Sequence, residues 1–331
     1  MNGTGSPGTE AGRRPRIAVT LGDPRGIGPE VTARALEEPA RLEADVVLVG
    51  PEGLPGLEGR RLLSVGRWTQ EGDKRLAGRL AGGAIERATG MALAGEVDGI
   101  VTAPISKPAL DAAGYHWPGH TEMLRDLTGV DSTALCLTAE ETPLGAPLRV
   151  VLVTGHIALR DVPAAYTVER LSEVARLADA GLREWWGLDR RRLAICGLNP
   201  HTSDEGLFGD EEARVCAPAI SMLRDAGLDV RGPFPADTAF VRGMRGEVDA
   251  VLAPYHDVGM AAIKSSCFGG AVNVTLGLPF PRTSPDHGTA FDIAGRGLAD
   301  PTSMRRALEL AVRFASRTLT LPPAASRFPG G

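Results

Sequence analysis

The sequence predicts an α/β fold with a largely parallel sheet, and three observations carry that reading. Short apolar, β-branched runs recur along the chain: RIAVT, DVVLV, LRVVLV, RLAIC and AVLA. Between them lie longer segments with helical periodicity. Strands that alternate with helices are joined by crossovers, which pair them in parallel. The third observation is where the strands end. VVLVTGH, LAICGLNPH and AVLAPYH each run into a turn carrying one histidine: His156, His201 and His256. Open α/β sheets gather ligands at the carboxyl ends of their strands.

The elements follow in order. RIAVTLGD, from Arg16, is the first strand, and GIGPEVTARALEE is a turn and helix. Pro29 falls in the first helical turn, where a missing N–H costs nothing. ADVVLVG is a strand, LAGRLAGGAIERATGMALAG a long helix, and GIVTAPISK a strand with its loop. LRVVLVTGH starts a strand, and TVERLSEVARLADAGLREWW is an amphipathic helix. RRLAICGLNPH, EEARVCAPAISMLRDAG, LDVRGPFPADTAF and DAVLAPYHD continue the alternation. AVNVTLGLP is a strand, and PTSMRRALELAVRFASRTL closes the fold as a helix. Residues 1–15, polar and rich in Gly and Pro, read as a disordered leader without the apolar segment of a signal peptide. Residues 323–331 read as a frayed tail.

Bulk properties narrow the function. The 331 residues are 43% hydrophobic and 23% charged, as expected of a globular protein. A net charge of -5 gives no basis for binding nucleic acid or an anionic membrane. Aromatic residues, at 5%, are too sparse for base-stacking platforms. No apolar run approaches the roughly 20 residues of a membrane helix. The four cysteines form no CxxC pair, and Cys136 and Cys196 lie in apolar runs as packed thiols. A reduced, cytoplasmic protein is expected.

Several segments carry chemistry. Three imidazoles from three strand ends suit a first-row divalent ion, against the simpler alternative of hydrogen-bonded structural histidines. Asp204 and Asp257 stand beside two of them as orienting partners. GDPRGIGPE, from Gly22 to Glu30, is a Gly-rich βα turn at a helix N-terminus, which attracts anions, but it is neither a Walker loop nor a GxGxxG fingerprint. GHTEM offers His120 and Thr121 to a substrate, with Thr121 as a helix cap the alternative. Lys264, Asn273 and Arg282, the last in the Pro-rich turn LPFPRTSP, suit a phosphate or carboxylate, against three unrelated surface residues. DHGTAFDIAGRG, with Asp286, His287, Gly288 and Asp292, reads as a loop whose backbone approaches a ligand closely.

Taken together these motifs resemble a known family. GDPRGIGPE, APISK, GHTE, TGHI, LNPH, the DT at Asp237, YHD and NVTLGLPFPRTSPDHGTAFDIAGRG stand in the order found in the 4-hydroxythreonine-4-phosphate dehydrogenase family of pyridoxal phosphate biosynthesis. The last segment is also similar to the adenosine-binding loop of isopropylmalate and isocitrate dehydrogenases. The resemblance runs from about Ile17 to the last helix. It implies a two-lobed isocitrate/isopropylmalate dehydrogenase-like α/β/α fold with the active site between the lobes. The first lobe would comprise 16–125 plus 270–322, and the second 126–269. It implies a homodimer with a shared active site. A divalent metal (Zn, Mg or Co) would sit on His156, His201 and His256, one of them from the partner chain. Substrate would meet His120, Thr121, Lys264, Asn273 and Arg282. NAD, with NADP the alternative, would lie near Asp286, His287, Gly288 and Asp292. The implied reaction is oxidation of a phosphorylated hydroxy acid to a β-keto acid that decarboxylates, with Lys264 and Asp237 as the candidates for proton transfer.

The sequence departs from the family pattern in three places. YHDQG is here YHDVG, with Val258 in place of an amide. NPHAGE is here NPHTSDEG, and Arg25 stands where GDPAGIGPE has a small residue. These leave the substrate open between 4-phosphohydroxy-L-threonine, the 4-phosphates of D-threonate or D-erythronate, and a terephthalate-type cis-dihydrodiol. Two further readings compete: a metal hydrolase activating water on the histidines, and a catalytically silent binding protein.

Overall fold

A computed structural model describes residues 13–37 and 42–320 of the chain. The leader up to residue 12 and the tail 323–331 lie outside the described residues; at its end, the Arg13 guanidinium pairs with Asp98 at 2.6 Å. The strands are β1 (Arg16–Thr20), β2 (Asp45–Glu52), β3 (Leu62–Arg67), β4 (Gly99–Thr102), β5 (Ala134–Ala139), β6 (Leu148–Leu152), β7 (Arg192–Cys196), β8 (Asp229–Phe234), β9 (Ala250–Ala253), β10 (Val272–Leu276) and β11 (Arg282–Pro285). The helices are α1 (Gly28–Ala35), α2 (Lys74–Leu93), α3 (Lys107–Ala112), α4 (His120–Thr128), α5 (Val162–Ala165), α6 (Val168–Glu184), α7 (Ala217–Asp225), α8 (Ala236–Met244), α9 (His256–Ser266) and α10 (Thr302–Thr320).

All eleven strands join one sheet in the order β3-β2-β1-β4-β11-β10-β5-β6-β9-β7-β8. Pairing is parallel toward both edges, as the alternation predicts. Only the middle is antiparallel, where β10 lies between β11 and β5 and β5 pairs with β6.

The sheet's two faces are covered differently. One face carries a continuous core built with α1, α6, α7 and α10. The other carries two separate cores. One packs α2 and α4 on β1, β2 and β4 and takes in Leu278 and Phe280. The other packs α8 and α9 on β5, β6, β7 and β9. Between them the sheet is polar. Val272, Val274 and Leu276 of β10 belong to the continuous core, so Asn273 and Thr275 face the other way. In β11 the Thr283 hydroxyl donates to Ala307 O on the α10 side, which turns Arg282 and Ser284 to the polar side. Two cores flanking a polar strip give the cleft of a two-lobed molecule.

Local chemistry explains the helix starts. Asp73 caps α2 by accepting from Leu76 N at 2.7 Å, and Thr167 caps α6 through Arg170 N at 3.2 Å. Three sequence expectations are corrected. Thr121 caps nothing: the chain enters α4 through Gly119, without a side-chain cap, and Thr121 lies within the helix. Arg282 opens a strand rather than sitting in a turn, because LPFP ends before it and β10 and β4 bind its segment. His256 is the first residue of α9, so GMAAIK is helical. Cys136 and Cys196 are buried as expected.

Candidate active site

The cleft floor is organised around Arg282. Its side chain is 3% exposed, and it donates to the Thr102 hydroxyl at 2.5 and 3.2 Å and to the Thr275 hydroxyl at 2.9 Å. No carboxylate pairs with it among the described residues. Burial pushes its pKa down to about 9, opposed only by the field of Glu122. A guanidinium held out of water with hydroxyl partners alone lacks the counter-charge that such a group needs.

Two further polar atoms on this floor lack partners. His120 Nε2 and Asn273 Oδ1 are shielded from solvent and hydrogen-bond to nothing in the protein. The Asn273 amide is oriented by its other end, Nδ2, which donates to Pro285 O at 3.1 Å. His120 is held neutral: burial, then the positive charges of Arg282 and Lys107, drive its pKa well below the ordinary 6.5. Buried polar atoms are normally satisfied, so orphans facing one cleft call for a polar ligand. Thr121, the next residue, helps line a cavity of about 400 Å³ with Glu122, Arg125, His156 and Arg170.

The residues expected to serve catalysis and cofactor are joined beside Asn273, where β11 ends. Lys264 Nζ, on α9, donates to Asp286 Oδ2 at 2.6 Å and to Asp286 O at 2.9 Å. Asp286 also accepts from the Ser303 hydroxyl at 3.0 Å. His287 bonds Gly288 O through Nδ1 at 3.1 Å and leaves Nε2 buried without a partner. Gly288 and Asp292 are exposed. Asp237, in the first turn of α8, is exposed as well.

The two Gly-rich segments prove to be one structure. Ile27 N donates to Thr289 O at 2.9 Å, and Glu30 accepts from Gly295 N at 2.9 Å and Ala299 N at 3.2 Å. A cavity of about 490 Å³ lies against both, lined by Pro24, Arg25, Pro29, Leu54, Ala294 and Gly295. Arg25 is taken up locally. It forms a two-pronged pair with the buried Asp23 at 2.7 and 3.0 Å and lies 5.2 Å above the Phe291 ring.

The three histidines are divided. His156 and His256 stand side by side with ring centroids 5.1 Å apart. His256 Nδ1 is fixed on Asp257 at 2.7 Å, which leaves Nε2 open. Desolvation, Lys107 and His256 lower the His156 pKa, favouring the neutral form that coordinates. This pair fits a first-row divalent ion. No group of three metal-ligating side chains forms among the described residues. His201, 70% exposed at its side chain, is held apart through Asp204 at 3.1 Å.

Sequence reading missed Lys107, Glu122 and Glu212. Lys107 and Glu122 lie within the motifs APISK and GHTE and set the field at His120, His156 and Arg282. Glu212, 5% exposed, is the centre of the turn that carries His201. It accepts from Leu198 N and Asn199 N, both at 2.8 Å, from Asn199 Nδ2 at 2.9 Å and from the Ser203 hydroxyl. Burial works against its ionised form, but these donors outweigh it and hold the pKa low.

A polar strip across an α/β sheet, with a buried cation beside a paired Gly-rich loop system, defines an α/β protein with a site for an anionic ligand. The fold is similar to that of an isocitrate dehydrogenase from Methylococcus capsulatus (TM-score 0.50, 16% identity, 88% of this chain and 83% of that one). The model of the family "Pyridoxal phosphate biosynthetic protein PdxA" matches residues 52–311, and the chain belongs to that family. A 4-hydroxythreonine-4-phosphate dehydrogenase from Paracoccus denitrificans is 44% identical over 325 residues, covering 91% of this chain and 98% of the relative. A D-threonate 4-phosphate dehydrogenase from Salmonella typhimurium is 39% identical over 90% of this chain and 98% of its own length. The crystal structure of a 4-hydroxythreonine-4-phosphate dehydrogenase from Klebsiella pneumoniae superposes with a TM-score of 0.81 at 40% identity, covering 92% and 98% of the two chains. The protein is therefore an oxidoreductase acting on a CH–OH group. No described helix is long and apolar enough to cross a membrane.

Proposed function

We propose that this enzyme oxidises 4-phosphohydroxy-L-threonine with NAD, in a cytoplasmic step of pyridoxal 5'-phosphate synthesis. The β-keto acid formed loses CO₂ to give 3-amino-2-oxopropyl phosphate. The cleft lies between a first lobe of 16–125 plus 270–322 and a second of 126–269. The observation that carries this reading is Arg282, whose buried guanidinium meets only hydroxyls and is completed by an anionic substrate group. Neutral His120 and the Asn273 carbonyl oxygen orient the substrate's polar groups, with Thr121 beside them. Lys264, fixed on Asp286, is taken as the proton-transfer group, ahead of Asp237, which is exposed on the single chain. NAD lies along the loop of Asp286, His287, Gly288 and Asp292, against the first βα turn that bonds to it.

His156 and His256 would hold a Zn, Mg or Co ion, with His201 supplied by a second copy of the chain in a homodimer. When bound, such an ion acidifies the substrate hydroxyl and polarises the carbonyl that replaces it. The division of the histidines, two together and one apart, supports the shared site.

A second reading keeps the chemistry and changes the substrate to D-threonate or D-erythronate 4-phosphate. It is favoured by the 39% identical D-threonate relative. For a terephthalate-type substrate, Arg25 is held by Asp23 through Nε and Nη2 and would meet a second carboxylate through its remaining N–H groups. Metal-loaded protein is incubated with NAD and each acid, and NADH absorbance is followed. Turnover of 4-phosphohydroxy-L-threonine alone supports the first reading. Turnover of an aldonate phosphate alone replaces it with the second, and no turnover of any of them removes both.

A further inference from the structure

His201 sits in a backbone that L-residues avoid. Five successive residues have left-handed φ: His201 (51°), Thr202 (59°), Ser203 (76°), Asp204 (42°) and Glu205 (60°). Such φ brings Cβ close to the following carbonyl, and a β-branched residue such as Thr202 tolerates it least. A run of this kind persists only where its surroundings over-determine it. Backbone bonds such as Thr202 N to Asn199 O and Phe208 N to Ser203 O close the turn on itself, and one carboxylate ties it to the chain on both sides of the histidine. Glu212 Oε1 takes the N–H groups of Leu198 and Asn199, before the histidine. Glu212 Oε2 takes Asn199 Nδ2 before it and the Ser203 hydroxyl after it. His201 is thus pinned on both sides, and Asp204 fixes its Nδ1 so that Nε2 points outward. Ser203 has the largest positive φ of the five, at 76°. Glycine adopts this φ freely. Serine does not, but its hydroxyl adds a bond to Glu212 that glycine cannot make.

We propose that Glu212 and Ser203 are positioning residues for His201: the Glu212 carboxylate holds the left-handed turn that presents the imidazole to a metal. This rests on the reading of His201 as a ligand. The Ser203 hydroxyl offsets, by a hydrogen bond, the strain of its own left-handed backbone.

Co²⁺ serves as the probe, with affinity measured by equilibrium dialysis and ligand geometry by visible absorption, on the full-length chain. Glu212→Ala lowers Co²⁺ affinity about 10- to 100-fold, the range found when an orienting partner of a ligand is lost. Glu212→Gln, which keeps an acceptor for the two backbone N–H groups, recovers part of it. Ser203→Ala keeps the strain and loses the hydroxyl, so it weakens Co²⁺ binding by about the lower end of that range. Ser203→Gly loses the hydroxyl but relieves the strain and stays near the unmodified protein. His201→Ala is the reference for loss of the ligand itself. If Glu212→Ala fails to fold, the Ser203 pair decides alone, and equal affinities for its two members overturn the proposal. Unchanged affinity in Glu212→Ala and Ser203→Ala with weakened His201→Ala overturns it while leaving His201 a ligand. Unchanged affinity in His201→Ala removes that ligand assignment and the proposal with it.

Discussion

Lys264 and Asp286 meet across 2.6 Å, tying α9 of the second core to the first residue of the DHGTAFDIAG loop. The pair links the side chain expected at the substrate with the loop expected at the cofactor. Removing the cation then affects turnover more than binding. Lys264→Ala is expected to lower kcat about 10²- to 10³-fold, the usual size of a proton-transfer contribution. Asp237→Asn, on an exposed helical turn, leaves kcat within about threefold. Steady-state kinetics of the two variants under one set of conditions separate the roles; equal losses would return Asp237 to the mechanism.

Arg282 governs anion recognition. Inorganic phosphate is expected to raise the melting temperature of the unmodified enzyme by an amount that grows with the logarithm of its concentration above Kd. Arg282→Lys keeps the charge but cannot reach Thr102 and Thr275 with a planar fork. Its substrate KM is expected to rise roughly 100-fold, consistent with about 2–5 kcal/mol for a buried charged contact. Thermal shift with phosphate and a KM measurement check this together, and a retained phosphate shift would place the anion elsewhere.

His120 predicts acid sensitivity. Its folded pKa lies well below the ordinary 6.5, so below pH 6.5 the unfolded chain binds a proton that the folded one does not. Stability from this group is complete above pH 6.5 and is lost as pH falls below it, by up to about 1.4 kcal/mol per pH unit. Denaturant melts at pH 7.5, 6.5 and 5.5 should show the decline, and His120→Gln should flatten it. An unchanged slope in the variant would assign the decline to other groups.

The junction of the Gly-rich segments should control cofactor binding. A Cβ on Gly26 would stand 2.8 Å from Thr289 O and 3.0 Å from Thr289 Cβ, so Gly26→Ala must push the loops apart. The KM for NAD is expected to rise about tenfold or more, on the order of 1.4 kcal/mol, with substrate KM little changed. Loss of substrate binding instead would mean that the junction supports the floor at Arg282.

The sequence was most legible where periodicity was long. The helices of LAGRLAGGAIERATGMALAG and TVERLSEVARLADAGLREWW appear as α2 and α6, because their apolar stripes repeat over many turns. β3 and β5 escaped notice: β3 follows the Gly- and Pro-rich PEGLPGLEG, and β5 is six residues of small alternation. LPFPR was read as a turn, although its last residue begins β11. The motif residues were found from the chain itself, but their grouping came only from the family resemblance. That His120, Asn273 and Arg282 share one floor follows from the antiparallel insertion of β10, which no local pattern announces. Nor does spacing reveal that His201 stands apart from the other two histidines.

The unbroken eleven-stranded sheet has a mechanical consequence. β11, β10 and β5 run hydrogen-bonded through its middle, so the two flanking cores share one sheet rather than meeting across a loop. The edges at β3 and β8 are joined through these strands like the ends of a torsion bar. An anion bridging Arg282 sits at the mid-point of that bar. It would be felt as added stiffness at both ends, so occupancy could be read by hydrogen exchange at edges far from the chemistry.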